Sequence, residues 1–271
     1  MNIHTTTHDA PRCRACGNPT SEHGRAVILS RHNATYWRCT SCGYIQTDVP
    51  WWLDEAYGEA IAASDVGLVS RNLEYAEITR SLIHACFNTD SQFVDYGGGY
   101  GLLVRLLRDA GLDFRRYDPL CRNILAQGLD AAPGEEPSCN LVTAFEVFEH
   151  LVDPVDGLSR MLQFSRNVFL STLLVTDPAP APGAWWYYCL ETGQHVGLFT
   201  LKSLHALAQR FELNFVSDGV RLHLFTERSI PSWKFRIATR YRVARALKPL
   251  QRLNPLTESD YRNARRQGAP V

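Results

Sequence analysis

Through the middle of this chain, apolar positions fall into two alternating rhythms. Phe93–Tyr96, Phe114–Tyr117, Leu141–Val147 and Asn167–Val175 are short stretches that read as strands. Between them, Tyr100–Ala110 and Val155–Ser165 read as helices, and Gly111 stops the first. Strand and helix in alternation predict an α/β fold, a parallel sheet covered on both faces. The Asn167–Val175 run is nearly all apolar or β-branched, as a buried parallel strand should be. Thr200 is placed to cap a helix over Leu201–Arg210. Phe211–Val216 and Val220–Thr226, joined by Ser217-Asp218-Gly219, predict an antiparallel closing pair. Residues 128–139 are rich in glycine, proline and acid, and a short third strand there has no clear position.

Outside this stretch the pattern changes. Arg25–Leu29 and Tyr36–Arg38 suit a short hairpin. Pro50-Trp51-Trp52 opens a helical connector, with helices expected over 53–63 and 71–87 and Ser70 capping the second. Thr176–Val196 is an insertion that carries Trp185-Trp186-Tyr187-Tyr188 and then Gly193-Gln194-His195. Four successive aromatics either pack on the core or wall a pocket. The insertion follows a parallel strand, so it should lie over the carboxyl ends of the strands, where open sheets bind ligands.

Composition narrows the setting. At 271 residues, one mid-sized domain plus additions fits. Lys plus Arg and Asp plus Glu both number 28, so overall charge predicts no polyanionic partner. No apolar run approaches the ~18 residues that span a membrane. Met1–Ala10 is polar and does not read as a secretion signal, so a cytoplasmic setting is expected. There, the 8 cysteines should be thiols or metal ligands.

Cys13, Cys16, Cys39 and Cys42 form two CxxCG knuckles separated by 22 residues. Four thiolates suit tetrahedral zinc, with Zn–S of about 2.3 Å, and leave no open coordination position. Such a metal is structural and replaces a core too small to form in so short a segment. The alternatives are incidental CxxC pairs or a redox pair.

The run Phe93-Val94-Asp95-Tyr96-Gly97-Gly98-Gly99-Tyr100-Gly101 reads as strand, glycine turn and helix. Its Asp-x-Gly-x-Gly-x-Gly spacing resembles motif I of the class I S-adenosylmethionine (SAM) methyltransferases. Asp118 ends the second strand, 23 residues past Asp95. A carboxylate there either takes both hydroxyls of a ribose or is an ordinary turn aspartate. Glu146-Val147-Phe148-Glu149-His150 resembles the EVxEH segment that follows a later strand in many of these enzymes. The resemblance spans about residues 92–227 and implies a Rossmann-like seven-stranded methyltransferase sheet. It implies that Asp95, Gly97, Gly99, Gly101, Asp118 and Glu146 bind SAM, with Asp118 on the ribose. In enzymes of this type, helices such as those of the connector cover the SAM site, so Tyr57, Arg71 and Asn72 are either ligand contacts or lid and packing residues.

With zinc knuckles in front and a Gln-His pair behind, the chain more closely resembles the zinc-bearing sugar C-methyltransferases. That implies a small-molecule acceptor, a sugar or surface-polysaccharide precursor. It also implies a substrate-facing His195 as base, with Glu149 and His150 as further catalytic candidates. Those enzymes carry a further C-terminal domain with no counterpart in these 271 residues. The plainer reading of His195 is a loop histidine bonded to a backbone carbonyl. An alternative for Glu146, Glu149, His150 and His195 is a second divalent metal, Mg²⁺ or Mn²⁺. Metal-dependent O-methyltransferases, including small-RNA 2′-O-methyltransferases, use an ExxEH motif that looks similar. Rival functions are an RNA methyltransferase that grips phosphates with the zinc module and basic tail, and a binding module that has lost its chemistry.

Four stretches result: a zinc module over 1–50, a helical connector or lid over 51–91, the methyltransferase core over 92–228, and a basic, partly helical tail over 229–271. Between Arg228 and Arg252 basic residues alternate with Trp233, Phe235, Ile237, Tyr241, Val243 and Leu247. Such a segment docks on the protein, lies on an anionic membrane surface, or touches nucleic acid.

Overall fold

The computed structural model describes residues 10–58, 65–134 and 138–266. Strands β1 (Thr20–Ile28) and β2 (His32–Cys39) make an antiparallel hairpin that extends beyond the expected one, with Thr20 still paired to Cys39. β3 (Ile45–Thr47) adds to β2. Of the helix expected over 53–63, the structure describes α1 (Leu53–Ala56), and residues 59–64 lie outside the described residues. Helix α2 (Leu68–Cys86) starts before Ser70, whose hydroxyl donates back to the Gly67 carbonyl at 2.9 Å instead of capping.

The core elements follow in order: β4 (Gln92–Tyr96), α3 (Leu102–Asp109), β5 (Asp113–Tyr117), β6 (Leu141–Phe145), α4 (Pro154–Leu162) and β7 (Val168–Ser171). Asp153 caps α4 by accepting from the amides of Val155 and Asp156 at 2.8 and 3.0 Å. After a long loop come β8 (Gly197–Leu198), α5 (Leu201–Arg210), β9 (Asn214–Ser217) and β10 (Leu222–Thr226). Thr200 and Ser203 close a reciprocal capping box on α5, as the Thr200 hydroxyl predicts.

Among the described residues the main sheet has six strands in the order β5-β4-β6-β7-β10-β9, the first four parallel and β10 antiparallel to both neighbours. The expected count of seven is therefore corrected to six. Where a seventh strand would flank β5 there is a single parallel bridge, Arg116 to Asp130. Gly128, at φ +75°, bends the chain just before this bridge, and Pro133 offers no amide to extend it. Alternation along the strands sorts two cores. Phe93, Phe114, Leu141 and Phe169 face α2 and α3, while Val94, Val142, Val168 and Phe225 face α4 and α5.

A second sheet runs β1-β2-β3-β8. Its last strand belongs to the loop after β7, so the cysteine-bearing hairpin and that loop share one hydrogen-bonded surface. Leu29 donates to Leu190 at 2.8 Å and Thr47 to Val196 at 3.1 Å along this seam. The four aromatics of the loop divide their roles: Tyr187 and Tyr188 are buried, and Trp186 is exposed.

The tail is not one helix but α6 (Ser232–Ala238), α7 (Tyr241–Leu247) and α8 (Thr257–Arg266), folded back on α2 and α3. Phe235 and Ala238 enter the core. The buried Arg80 donates to the Ala244 carbonyl at 3.1 Å and to Gln251 at 2.7 Å. Asp260 accepts from Arg105 at 2.9 Å and from Arg108 at 2.7 and 2.8 Å. No helix among the described residues is long and apolar enough to cross a membrane.

Candidate functional site

A cavity of about 800 Å³ opens at the carboxyl ends of β4, β5 and β6. One end is the glycine turn that leads into α3. Gly97 has φ +70°, and a Cβ there would lie 2.6 Å from Val147 Cγ2. Side chains are excluded on both counts, so the backbone itself lines the cavity. Gly101, at φ +87°, is the N-cap of α3 and packs against Ala126; it stands behind the turn and is not part of the lining.

Acidic groups bracket the turn. Asp95 is buried, and its Oδ1 accepts from the Thr143 hydroxyl at 2.7 Å. Burial, with the charge of Asp118, pushes its carboxyl up to about 7 against the opposing Thr143 bond. Asp118 Oδ2 accepts from the Gly99 amide at 2.9 Å, while Oδ1 accepts from Leu120 and Cys121 at 2.8 and 2.9 Å. Arg116, unremarkable in sequence, clamps the same place. Its guanidinium donates to the Gly99 carbonyl at 2.6 Å, to Asp130 at 2.8 Å and to the Cys121 carbonyl.

The other end is built by the segment after β6 and by the loop after β7. Residues 146–150 are not a continuous helix: Glu146 sits at φ +53° and only Phe148–His150 makes a 3₁₀ turn. Glu146 therefore stands apart from Glu149, His150 and His195, with which it was expected to form the alternative metal set. Its Oε1 accepts from Tyr75 at 2.7 Å and from Ser171 at 2.6 Å. Glu149, His150 and His195 do meet, with one potential ligand atom from each lying within 4.8 Å of the others. The two imidazoles stand edge to face with centroids 4.8 Å apart.

Glu149 is fully buried. Its Oε1 accepts from the Tyr187 hydroxyl at 2.6 Å, and its Oε2 has no hydrogen-bond partner among the described residues. Burial, reinforced by Glu146, raises its carboxyl to about 8. Burial, reinforced by His195, drives His150 down to about 3. His195 is likewise lowered by burial, so both rings are neutral near pH 7. His195 Nδ1 lies 2.7 Å from the Tyr187 carbonyl. A carbonyl only accepts, so Nδ1 carries the proton and Nε2 keeps its lone pair.

Tyr57, Arg71 and Asn72 line the cavity, and the Tyr57 hydroxyl is 3.0 Å from His150 Nδ1. Tyr187 and Thr143, not singled out in sequence, hold Glu149 and Asp95. The aromatic run advertised Tyr187; nothing local marks Thr143.

A separate site lies in the hairpin module. Cys13–Cys42, Cys16–Cys39 and Cys16–Cys42 Sγ separations are 3.6, 3.5 and 3.4 Å, and all four sulfurs gather within 4.8 Å. Tetrahedral bonds of about 2.3 Å ask for sulfurs about 3.8 Å apart, so the cluster suits Zn²⁺. The Ser41 and Cys42 amides point at Cys39 Sγ, both at 3.4 Å, as second-knuckle amides do toward a thiolate.

Among solved structures the chain is similar to the plantazolicin methyltransferase BpumL, with a TM-score of 0.44 and 12% identity over 65% of this chain and 93% of that one. It is similar to human N-acetylserotonin methyltransferase, with a TM-score of 0.38 and 14% identity over 66% of this chain and 67% of that one. It is also similar to an O-methyltransferase family 2 protein from Planctomyces limnophilus, with a TM-score of 0.41 and 12% identity over 64% and 65% of the two chains. No curated protein sequence matches it. The family model described as "Methyltransferase domain" matches residues 70–218, more than half of the chain and the whole of the cavity's glycine and histidine ends. The chain belongs to the methyltransferase-domain family and is a SAM-dependent methyltransferase.

Proposed function

We propose that this enzyme methylates a small, hydroxyl-bearing acceptor, a sugar or surface-polysaccharide precursor, with His195 as the base. The supporting observation is one cavity that joins the glycine turn and Asp118 at one end to an imidazole with a free Nε2 at the other. SAM supplies a methyl already activated on a sulfonium. Asp95 and the turn at 97–99 border its methionine part in this reading, and Asp118 takes the ribose hydroxyls. His195 Nε2 accepts the acceptor's proton as the methyl is transferred, and Tyr187 holds the ring through Nδ1. The hairpin cysteines hold a structural zinc. The sugar assignment draws on the resemblance of the zinc knuckles and the Gln194-His195 pair to the sugar C-methyltransferases.

The unpartnered Oε2 of Glu149 favours one second reading, a divalent cation on Glu149, His150 and His195. Labelled SAM offered to nucleotide sugars and to RNA tests the acceptor class; label confined to RNA overturns it. His195→Ala should lower kcat at least ~100-fold with SAM affinity unchanged. Activity that survives this substitution removes the base, and activity that vanishes with a chelator while the hairpin keeps its zinc replaces the base with a cation.

A further inference from the structure

The docked tail leaves a surface that methyl transfer does not use. From Arg228 to Arg252 the chain carries eight Lys and Arg residues and no Asp or Glu, although the whole chain is balanced at 28 of each sign. In α6, Phe235 and Ala238 are the buried side. Trp233 and Ile237, one turn apart on the opposite side, are 66% and 48% exposed. Arg236 lies in the same stripe, and Arg240 continues it where α6 passes into α7. In α7, Ala244 is buried while Tyr241, Arg242 and Arg245 are exposed. Lys248 is occupied by Glu77, but among the described residues no carboxylate reaches Arg236, Arg240, Arg242 or Arg245.

We propose that α6 and α7 rest on the surface of an anionic phospholipid bilayer. The stripe combines the two chemistries that such a surface rewards. An exposed tryptophan and isoleucine insert at the level of the headgroups, and guanidinia beside them meet lipid phosphates. A strand of RNA would use the guanidinia but has no use for an exposed isoleucine one turn from the tryptophan. Each basic side chain held near an anionic bilayer raises partitioning roughly fivefold, so four unpaired arginines give several hundredfold. Phe235 and Ala238 of α6 and Ala244 of α7 are already buried, so the surface is preformed and needs no folding on contact.

The test is sedimentation of the full chain with vesicles of equal parts phosphatidylcholine and phosphatidylglycerol, and with phosphatidylcholine alone. The chain should sediment with the first and not with the second, and added salt should release it. Arg236→Glu, Arg240→Glu and Arg245→Glu together should weaken partitioning at least ~100-fold. Trp233→Ala should weaken it about tenfold. Unchanged thermal melts of the variants establish that their folds are intact. Failure to bind the anionic vesicles, equal binding by the charge-reversed variant, or tighter binding to single-stranded RNA than to the vesicles would overturn the proposal.

Discussion

The backbone amide of Gly99 donates to Oδ2 of Asp118 at 2.9 Å, which ties the glycine turn to the end of the neighbouring strand. The other carboxylate oxygen is engaged by the amides of Leu120 and Cys121. One side chain thus shapes two loops at the cavity edge. Hydrogen bonds to a charged group contribute about 1.5–3 kcal/mol each, roughly a tenfold to hundredfold change in affinity. Asp118→Ala should therefore weaken SAM binding by that factor in calorimetric titration. Equal affinity of variant and wild type would remove Asp118 from the cofactor site.

Gly97 sits where a side chain is refused twice, by its positive φ and by Val147 at 2.6 Å. Gly97→Ala must push Val147 or the turn into the cavity. A loss of SAM affinity of at least ~10-fold is expected, with a fall in melting temperature of a few degrees. A variant that binds SAM like wild type would show that the turn does not border the cofactor.

The four-cysteine cluster anchors a hairpin whose third strand pairs with β8, directly after His195. Metal analysis should find one zinc per chain. Cys39→Ser should lower zinc content and melting temperature together, since structural zinc contributes folding energy outright. Activity should fall with them, because the paired loop carries Gln194 and His195. A zinc-free protein of unchanged stability would overturn the structural role.

Asp260 fastens α8 to α3. Burial alone would push its carboxyl up, but Arg108 and Arg105 outweigh it and hold the group below its ordinary 3.8. A carboxylate lowered on folding adds stability above its unfolded pKa and loses it as pH falls through the folded one. Asp260→Asn should cost about 2 kcal/mol at neutral pH. The gap between wild type and variant should close below about pH 4 in thermal melts. A gap that persists in acid would mean the contribution is packing, not charge.

The strands β6 and β7 were legible because they are buried and read as nearly apolar runs, while β4 and β5 were legible from where they stand, before the glycine turn and before Asp118. Helix α5 was legible from one hydroxyl, Thr200. The third strand was not, because glycine and proline reduce it to one bridge at Asp130. Within the cavity, the glycine turn is a local pattern and could be read directly. The Tyr187–Glu149 bond joins residues 38 apart and depends on how the long loop folds over the sheet. Glu146 drops out of the four-residue metal set for a local reason: a left-handed backbone at that one residue turns it toward Tyr75. The alternating basic and apolar residues of the tail left docking, membrane contact and nucleic-acid contact open, and it is the burial of Phe235 and Ala238 that docks α6 on the core.

Part of the loop wall is held through its main chain: Leu190, Gly193 and Val196 offer carbonyls to Leu29, Trp52 and Thr47, and the Val196 amide bonds the Glu149 carbonyl. Its cavity-facing side chains at Trp186, Cys189, Glu191 and Thr192 carry little of that attachment. These main-chain bonds do not depend on which side chains face the cavity. Trp186, Cys189, Glu191 and Thr192 can therefore be exchanged with those bonds, and the position of His195, kept in place.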